Sequence, residues 1–299
     1  MIRGCVRLLA LGGALTVGLA LPAGGCARSR QARLDQARSL AFHQNFVAAV
    51  TEYESLTTEL GRDESGPAKD LRAAALRGAA DLCYLQLADY VKAARLYRDL
   101  SERYPDRPET FGARANLATI LRDHFHDTRG ALAQLAALVQ SFPNHLDTDR
   151  YQYRAAQDYF ELRDYRQAET ELRLFLSRFP GSAVRTDAQL LLASALAYQG
   201  RRGDAVVVYQ QVAEEHPGPD AGRANLELAR LAEEAGEYEK AEALLSRAVV
   251  DYPDPRVVTL ALERVKHRVA LRRPVDIKDH AAIFDHAAET AAIVRDTGE

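Results

Sequence analysis

The stretch RYQYRAAQDYFELRDYRQAETELRLFLSRFPG, residues 150–181, contains two amphipathic patterns separated by a short turn. The first pattern has apolar residues at helical spacing, at Tyr153, Ala156, Tyr159 and Phe160. The second follows the turn at Arg163-Asp164, with apolar residues at Ala168, Leu172, Phe175, Leu176 and Phe179. Pro180 and Gly181 end it, because proline cannot continue a helix and glycine tolerates the left-handed cap. The stretch therefore predicts two antiparallel helices.

This unit recurs along the chain at a nearly constant period. Five prolines that follow the second pattern lie 38, 37, 37 and 36 residues apart, at Pro105, Pro143, Pro180, Pro217 and Pro253. An alanine stands twelve residues before each proline, at Ala93, Ala131, Ala168, Ala205 and Ala241. Such a period predicts a repeat array. Repeat arrays present extended binding surfaces, which favours a binding function over catalysis.

The pattern resembles the tetratricopeptide repeat (TPR), which has a small residue at its eighth position, alanine at its twentieth, an aromatic residue or leucine at its twenty-fourth and proline at its thirty-second. The twenty-fourth positions here are Tyr97, Leu135, Leu172, Tyr209 and Leu245. The eighth positions of the last three copies are Ala156, Ala193 and Ala229. The resemblance covers residues 31–253. It implies an all-α TPR solenoid of about six helix pairs wound as a right-handed superhelix.

Three copies depart from the TPR pattern. A degenerate first copy has Ala37, Ala49 and Tyr53 in place, but Gly61 stands where proline is expected. In the second and third copies the eighth position falls on Asp81 and Thr119. A one-residue shift of their first helices is the interpretation that keeps both copies in the array.

The N-terminus has the pattern of an export signal. Arg3 and Arg7 precede an uncharged apolar run over residues 8–21, which is too short to span a bilayer comfortably and is typical of a secretory signal peptide. The run ends in PAGGC, residues 22–26, which resembles the lipobox of bacterial lipoproteins, although Ala23 stands where leucine is usual. This predicts a signal peptide over residues 1–25 and lipidation of Cys26. The alternative is ordinary cleavage near Ala27, which would give a soluble periplasmic protein.

The lipobox resemblance implies a location. Ala27 is not the aspartate that retains enteric lipoproteins in the inner membrane, so the resemblance implies the outer membrane, with the array facing the periplasm. Residues 26–30 would be the lipidated cysteine and a short tether, reaching roughly 15 Å when extended. The formal net charge is −3, and loss of Arg3 and Arg7 would make it about −5, which argues against a general nucleic-acid binder.

The C-terminal part departs from the repeat pattern. Residues 254–273 predict a capping helix with an apolar stripe at Val258, Leu262, Val265 and Val269. The other side of this helix is basic, so a face for anionic lipid or an acidic partner is the alternative interpretation. Residues 274–299 form an acidic tail, and a short helix over residues 281–294 or a mobile segment are both compatible with its sequence.

No catalytic, cofactor or metal motif stands out in the sequence. The chain contains no GxSxG, HExxH, P-loop or Rossmann glycine pattern. His124 and His126 are two residues apart, and His280 and His286 are six apart, whereas ligands that share a helical face are spaced by three or four. We therefore expect a non-enzymatic protein with no cofactor, no metal and no small-molecule substrate.

The TPR resemblance implies where partners bind. In TPR arrays the first helices of the pairs line a concave groove that faces the ligand. Carried over to this chain, the groove positions are Tyr153, Gln157, Phe160, Leu190, Ser194, Tyr198 and Arg230. Tyrosine and arginine are the residue types that anchor interfaces. For Tyr153 and Phe160, packing between neighbouring repeats is an equally good interpretation.

The combination of lipobox, short tether and repeats resembles the BamD-like lipoproteins of outer-membrane protein assembly. That resemblance implies a scaffold that binds other envelope proteins. A second resemblance is to CpoB, also called YbgF, which coordinates cell-wall synthesis and division but normally has an N-terminal coiled coil that is missing here. A third is to the helical superhelix of lytic transglycosylases, yet the 46 residues after Pro253 cannot supply their catalytic domain.

The lipid-anchor hypothesis predicts the effect of one substitution. Cys26→Ser removes the only thiol that lipidation at the PAGGC sequence can use, so we expect this variant to move from the membrane fraction to the soluble periplasmic fraction. Mass spectrometry of the mature N-terminus checks the parent protein. An unmodified mature end at Arg28 would contradict lipidation and would support ordinary secretion.

Overall fold

The computed structural model describes residues 23–272, with side chains from Ser29 onward, and this part of the chain is built from α-helices with no strand. The thirteen α-helices follow one another as six pairs and a final helix. We number the pairs hairpins 1–6. Their bounds are α1 Ala23–Phe42 and α2 Phe46–Glu59, α3 Gly66–Leu85 and α4 Tyr90–Arg103, α5 Pro108–Asp123 and α6 Thr128–Ser141, α7 Thr148–Glu161 and α8 Tyr165–Arg178, α9 Arg185–Tyr198 and α10 Arg202–Glu215, α11 Pro219–Glu234 and α12 Tyr238–Asp251, and α13 Pro255–Arg272. The prediction of an all-α array of helix pairs is confirmed.

The chain forms two compact units, and the boundary lies inside α6, between Ala137 and Leu138. In the first unit each helix from α1 to α5 packs on the next, and α3 also packs on α1 and α5. In the second unit α7 to α13 pack in the same successive manner, and α7 also contacts α9. Within each unit, the first helices α3, α5, α9 and α11 therefore pack on the second helix of the preceding pair.

The alanines of the repeat pattern lie in the core. Every twentieth-position alanine from Ala49 to Ala241 is fully buried, as are the eighth-position residues Ala156 and Ala193. The larger residues four positions later, such as Leu172 and Tyr209, are fully buried as well. A methyl group at one position and a large side chain one turn later let neighbouring helices approach closely without leaving a void.

The length of the turn within each hairpin explains the departures at Asp81 and Thr119. Four hairpins have three-residue turns, and the amide of the last turn residue donates to the carbonyl five residues earlier, as from Asp164 to Tyr159. Hairpins 2 and 3 have four-residue turns, and the bond spans six residues, from Asp89 to Cys83 and from Asp127 to Leu121. Because of the extra residue, the small side chain expected at the eighth position of the repeat lies one residue earlier, at the buried Ala80 and Ala118. The same extra residue in hairpin 3 accounts for the longest proline spacing of 38 residues.

All six turns use the left-handed backbone region one residue before their last. The φ angles there lie between 52° and 80°, at Gln44, Ala88, His126, Arg163, Gly200 and Gly236. Only the last two are glycine, the residue that adopts this conformation without steric cost. The left-handed conformation is therefore required by the geometry of the hairpin, and four of the six turns adopt it at a residue other than glycine.

The basic side of α13 is largely engaged in fastening this helix to hairpin 6. The guanidinium group of Arg264 pairs with Glu233 at 2.9 Å. Arg268 donates to the Tyr238 hydroxyl at 3.1 Å, and Arg272 lies 4.4 Å from the centre of the Tyr238 ring. The apolar stripe from Val258 to Val269 is buried on the same hairpin. These contacts favour the capping interpretation of α13.

The predicted anchor and tail fall largely outside the described residues. Residues 1–22, the side chain of Cys26 and residues 273–299 are not described. Helix α1 begins at Ala23, so the predicted tether residues 27–30 are part of this helix and do not form an extended chain. Between residues 23 and 272, no helix combines the length and the hydropathy needed to cross a bilayer.

The turn geometry predicts opposite effects of alanine at two neighbouring glycines. Gly200 has a φ of 80° and open space where a Cβ would be, so Gly200→Ala should lower the free energy of unfolding by about 1 kcal/mol through backbone strain alone. Gly203, in the first turn of α10, also has open space, and Gly203→Ala should leave stability unchanged or raise it by up to about 1 kcal/mol. Urea unfolding of both variants is the measurement, and equal shifts would contradict the left-handed turn.

Candidate functional site on the first helices of hairpins 4 to 6

A shallow depression of about 210 Å³ lies on the first helices of hairpins 4–6. We call this surface the first-helix face. Helix α7 contributes Tyr153, α9 contributes Leu190 and Ser194, and α11 contributes Arg223 and Glu227. These helices bring the five side chains together because positions four residues apart share one side of a helix and the three helices lie in successive hairpins.

A pair of hydroxyl groups forms the floor of the depression. Ser194 Oγ lies 2.7 Å from the hydroxyl of Tyr209 and donates to the carbonyl of Leu190 at 3.0 Å. Because a serine hydroxyl has one hydrogen, the Tyr209 hydroxyl must donate to Ser194. Burial raises the pKa of Tyr209 to about 12, so this hydroxyl stays protonated at neutral pH. The hydrogen bond between the two hydroxyls links α9, which bears Ser194, to α10, which bears Tyr209.

One side of the depression carries charge. The Arg223 guanidinium lies 2.7 Å from Asp187 of α9 and 3.3 Å from Asp220 of its own helix. The side chains of Arg223 and Asp187 are 42% and 41% exposed. Ion pairs this exposed contribute only about 0–1 kcal/mol to stability. Both groups can therefore exchange partners with an incoming ligand at small cost to the fold.

Three aromatic rings meet at the end of α7 and α9. Phe160 lies 5.6 Å from Tyr198 and 5.2 Å from Tyr165, and Tyr165 stacks on Tyr198 at 5.0 Å. Tyr198 is nevertheless 59% exposed. Stacking holds the exposed ring in one orientation, which suits it to act as a rigid contact for a ligand.

The same ring contact recurs elsewhere in the array. In the first unit Tyr90, the first residue of α4, stacks on His124 just after α5 at 3.6 Å. In the second unit, the guanidinium group of Arg272 in α13 lies over the ring of Tyr238, the first residue of α12. The first residue of a second helix thus contacts the end of the next first helix, so this aromatic contact belongs to the packing of successive hairpins.

Five of the seven predicted groove residues divide into two groups around these features. Tyr153, Leu190 and Ser194 surround the depression, whereas Phe160 and Tyr198 belong to the aromatic cluster. Tyr153 is half-buried with its ring 5.9 Å from that of Phe175, and Leu190 is only 6% exposed. The inter-repeat packing that the sequence left open is present for Phe160, whose ring contacts Tyr198 of hairpin 5, whereas the ring contact of Tyr153 with Phe175 lies within hairpin 4.

Gln157 and Arg230 flank the two groups. Gln157 follows Tyr153 by one helical turn on the same side of α7. Arg230 pairs with Glu227 at 2.9 Å and with Glu234 at 2.5 Å on its own helix. Arg230 is therefore a partly neutralised cation next to Glu227, which lines the depression.

Sequence reasoning missed the charged pair at the depression. Asp187 and Arg223 both occupy the second position of their repeats, one of the positions that face ligands in TPR arrays, so the same counting could have found them. Tyr209 and Tyr252 also line the depression, but their repeat positions indicate core packing, and only the folded chain brings them here. Among the described residues, no three histidine, cysteine or carboxylate side chains are grouped in a way that could hold a metal ion.

The hydroxyl pair predicts non-additive stabilities. Ser194→Ala leaves the buried Tyr209 hydroxyl without its acceptor and should cost about 1–3 kcal/mol. The double variant Ser194→Ala with Tyr209→Phe removes both groups and should recover most of that loss. Thermal unfolding of the two single variants and the double variant gives the coupling. Additive effects would mean that the two hydroxyls do not interact.

Family models agree with the repeats described above, and several solved structures are similar to this chain. Family models described as tetratricopeptide repeat match residues 75–107, 150–182 and 196–262. Among solved structures, a tetratricopeptide repeat protein from Parabacteroides merdae is 14% identical, over 80% of this chain and 99% of its own, with a TM-score of 0.45. A structure of MamA is 17% identical over 60% of this chain and 91% of its own, with a TM-score of 0.49.

A third solved structure is YrrB, described as a TPR protein with an unusual peptide-binding site. It is 16% identical, over 64% of this chain and 92% of its own, with a TM-score of 0.48. No curated protein matches the sequence significantly. The assignment therefore rests on the matched segments: residues 75–107, 150–182 and 196–262 are tetratricopeptide repeats, and they lie within a series of helix pairs.

Proposed function

We propose that this chain is a non-enzymatic scaffold that binds a peptide segment of a partner protein on its first-helix face. The observation that carries the proposal is the arrangement of Tyr198 and Arg223 on that face. Tyr198 is exposed but held by stacking on Tyr165. Arg223 is exposed, and its ion pairs with Asp187 and Asp220 are weak because they are open to solvent.

These two residues have the properties of interface anchors. Tyrosine and arginine dominate binding hot spots, because they combine large contact area with hydrogen bonding. A pre-ordered ring loses little conformational entropy on binding. The depression beside Tyr153 adds a shallow recess for one side chain of the ligand, with a carboxylate and a guanidinium at its edge. A peptide with an apolar or aromatic residue next to a charged one fits this surface.

We further propose that the scaffold acts in the bacterial cell envelope as a lipid-anchored protein of the outer membrane. The support is the sequence of residues 1–26, with Arg3 and Arg7, an apolar run and the PAGGC ending. Together with the repeats, this pattern resembles the BamD-like lipoproteins, and its partners would then be other envelope proteins. The CpoB-like role in cell-wall synthesis and division is the alternative within the same class.

Capture of a partner should depend on the first-helix face. A photoreactive amino acid at Tyr198 should crosslink a partner, whereas the same group at Leu174, a 51% exposed position of α8, should not. Tyr198→Ala and Arg223→Ala should leave folding nearly intact, and at least one should weaken partner capture by about 2 kcal/mol or more. Equal crosslinking at the two positions, or full capture by both alanine variants, would contradict the proposed surface.

Depletion of the protein in its host separates the two envelope roles. A BamD-like scaffold predicts a lower amount of folded β-barrel proteins in the outer membrane. A CpoB-like coordinator predicts division and cell-wall defects with barrel levels unchanged. Cleavage of peptidoglycan by the purified protein would contradict the scaffold proposal altogether.

A further inference from the structure

A larger groove lies on the second helices of hairpins 5 and 6. It has a volume of about 610 Å³ and runs between α10 and α12, with α11 as its floor. We call it the second-helix groove. Its apolar lining includes Val206, Ala213, Leu228, Leu231, Leu244 and Val250. Val250 is 80% exposed, so the groove leaves apolar surface open to water.

The apolar lining distinguishes this groove from a comparable gap in the first unit. In the first unit a gap of similar volume, about 560 Å³, lies between α2 and α4 over α3. That gap is lined mostly by charged side chains, among them Glu54, Arg95, Asp99 and Arg103. Both gaps lie between successive second helices, but of these two only the gap between α10 and α12 has an apolar lining. Open apolar surface of this kind marks a place where another segment binds.

The described chain ends beside one end of this groove. The Arg272 guanidinium donates to the carbonyl of Gly236 at 2.9 Å and lies over the ring of Tyr238. Gly236 is flanked by Ala235 and Glu237, and both of these residues line the groove. Residues 273–299 therefore continue from a point next to the groove.

Those residues include a segment whose pattern and length match the groove. Residues 281–294 read AAIFDHAAETAAIV, with polar pairs at 285–286 and 289–290 and apolar residues between them, which is the pattern of an amphipathic helix. As a helix, fourteen residues span about 21 Å, and the groove follows the fourteen-residue α12 over the same length. Residues 273–280 provide a linker that reaches up to about 26 Å.

We propose that residues 281–294 of the same chain bind in the second-helix groove and cover its apolar lining. The segment enters beside Arg272 and runs toward Glu214 and Asp251 at the far end of the groove. This direction brings the basic Arg295, which follows the segment, to those two carboxylates. The proposal is independent of partner binding on the first-helix face, because it involves α10 and α12 rather than the exposed sides of α7 and α9.

The absence of tryptophan from the sequence allows a direct test in the full chain. Phe284→Trp places a single fluorophore in the segment. If the segment is bound, tryptophan emission lies at shorter wavelength than in a synthetic peptide of residues 275–299 with the same substitution, and acrylamide quenches it several-fold less. Emission and quenching equal to those of the peptide would overturn the proposal.

Two matched charge substitutions locate the binding surface. Val250→Glu introduces a carboxylate into the groove at an exposed position, so it should raise quenching of the tryptophan toward the level of the free peptide. Val207→Glu changes a 63% exposed valine of α10 outside the groove and should have no effect. Far-UV circular dichroism checks that both variants are folded. Equal quenching in the two variants would place the segment elsewhere and overturn the proposal.

Dilution distinguishes the chain's own segment from that of a second copy. Binding within one chain predicts emission and quenching that do not change with protein concentration. A shift toward peptide-like quenching on dilution would show that a neighbouring molecule supplies the segment, and would overturn the proposal of binding within one chain.

Discussion

Each hairpin depends on a close approach of helices at side chains no larger than a methyl group. Ala168 and Ala205 have no exposed surface, and large residues one turn later fill the neighbouring space. A core of this density accepts little extra volume, so the alanine position must recur wherever the helices meet. The period of the sequence is the period of this contact, and the prolines only mark where each second helix ends.

The turns determine how this contact is kept when the sequence changes. A three-residue turn and a four-residue turn both end in the left-handed region and both bring the second helix back on the first. The difference is absorbed by the first helix, where the small position moves by one residue to Ala80 and Ala118. The array therefore tolerates a one-residue insertion at the turn, since a shift in the position of the small residue on the first helix preserves the packing of the two helices.

Residues that join successive hairpins also form the surfaces that are open to ligands. Tyr198 packs on Tyr165 of the preceding hairpin and still exposes more than half of its surface. Tyr153, which packs on Phe175 within hairpin 4, borders the depression together with Leu190 of hairpin 5. The second-helix groove differs, because its lining is apolar: Leu228 and Leu231 form its floor, and Val250 on its side remains exposed. The second unit thus has a mixed aromatic and charged surface on its first helices and an apolar groove on its second helices.

The amino-acid sequence alone determined the helix pairs, the buried alanines such as Ala168, and the apolar stripe from Val258 to Val269, because these depend on spacing within one or two turns of helix. It also indicated the side of α7 and α9 that bears Tyr153 and Tyr198. Only the tertiary structure decided that Asp187 and Arg223 form a pair and that Tyr209 lies beneath Ser194, since these contacts join residues from different helices. The second-helix groove was likewise beyond the reach of spacing arguments. Its existence depends on the distance between α10 and α12, which is set by how α11 packs between them and by no local pattern in either helix.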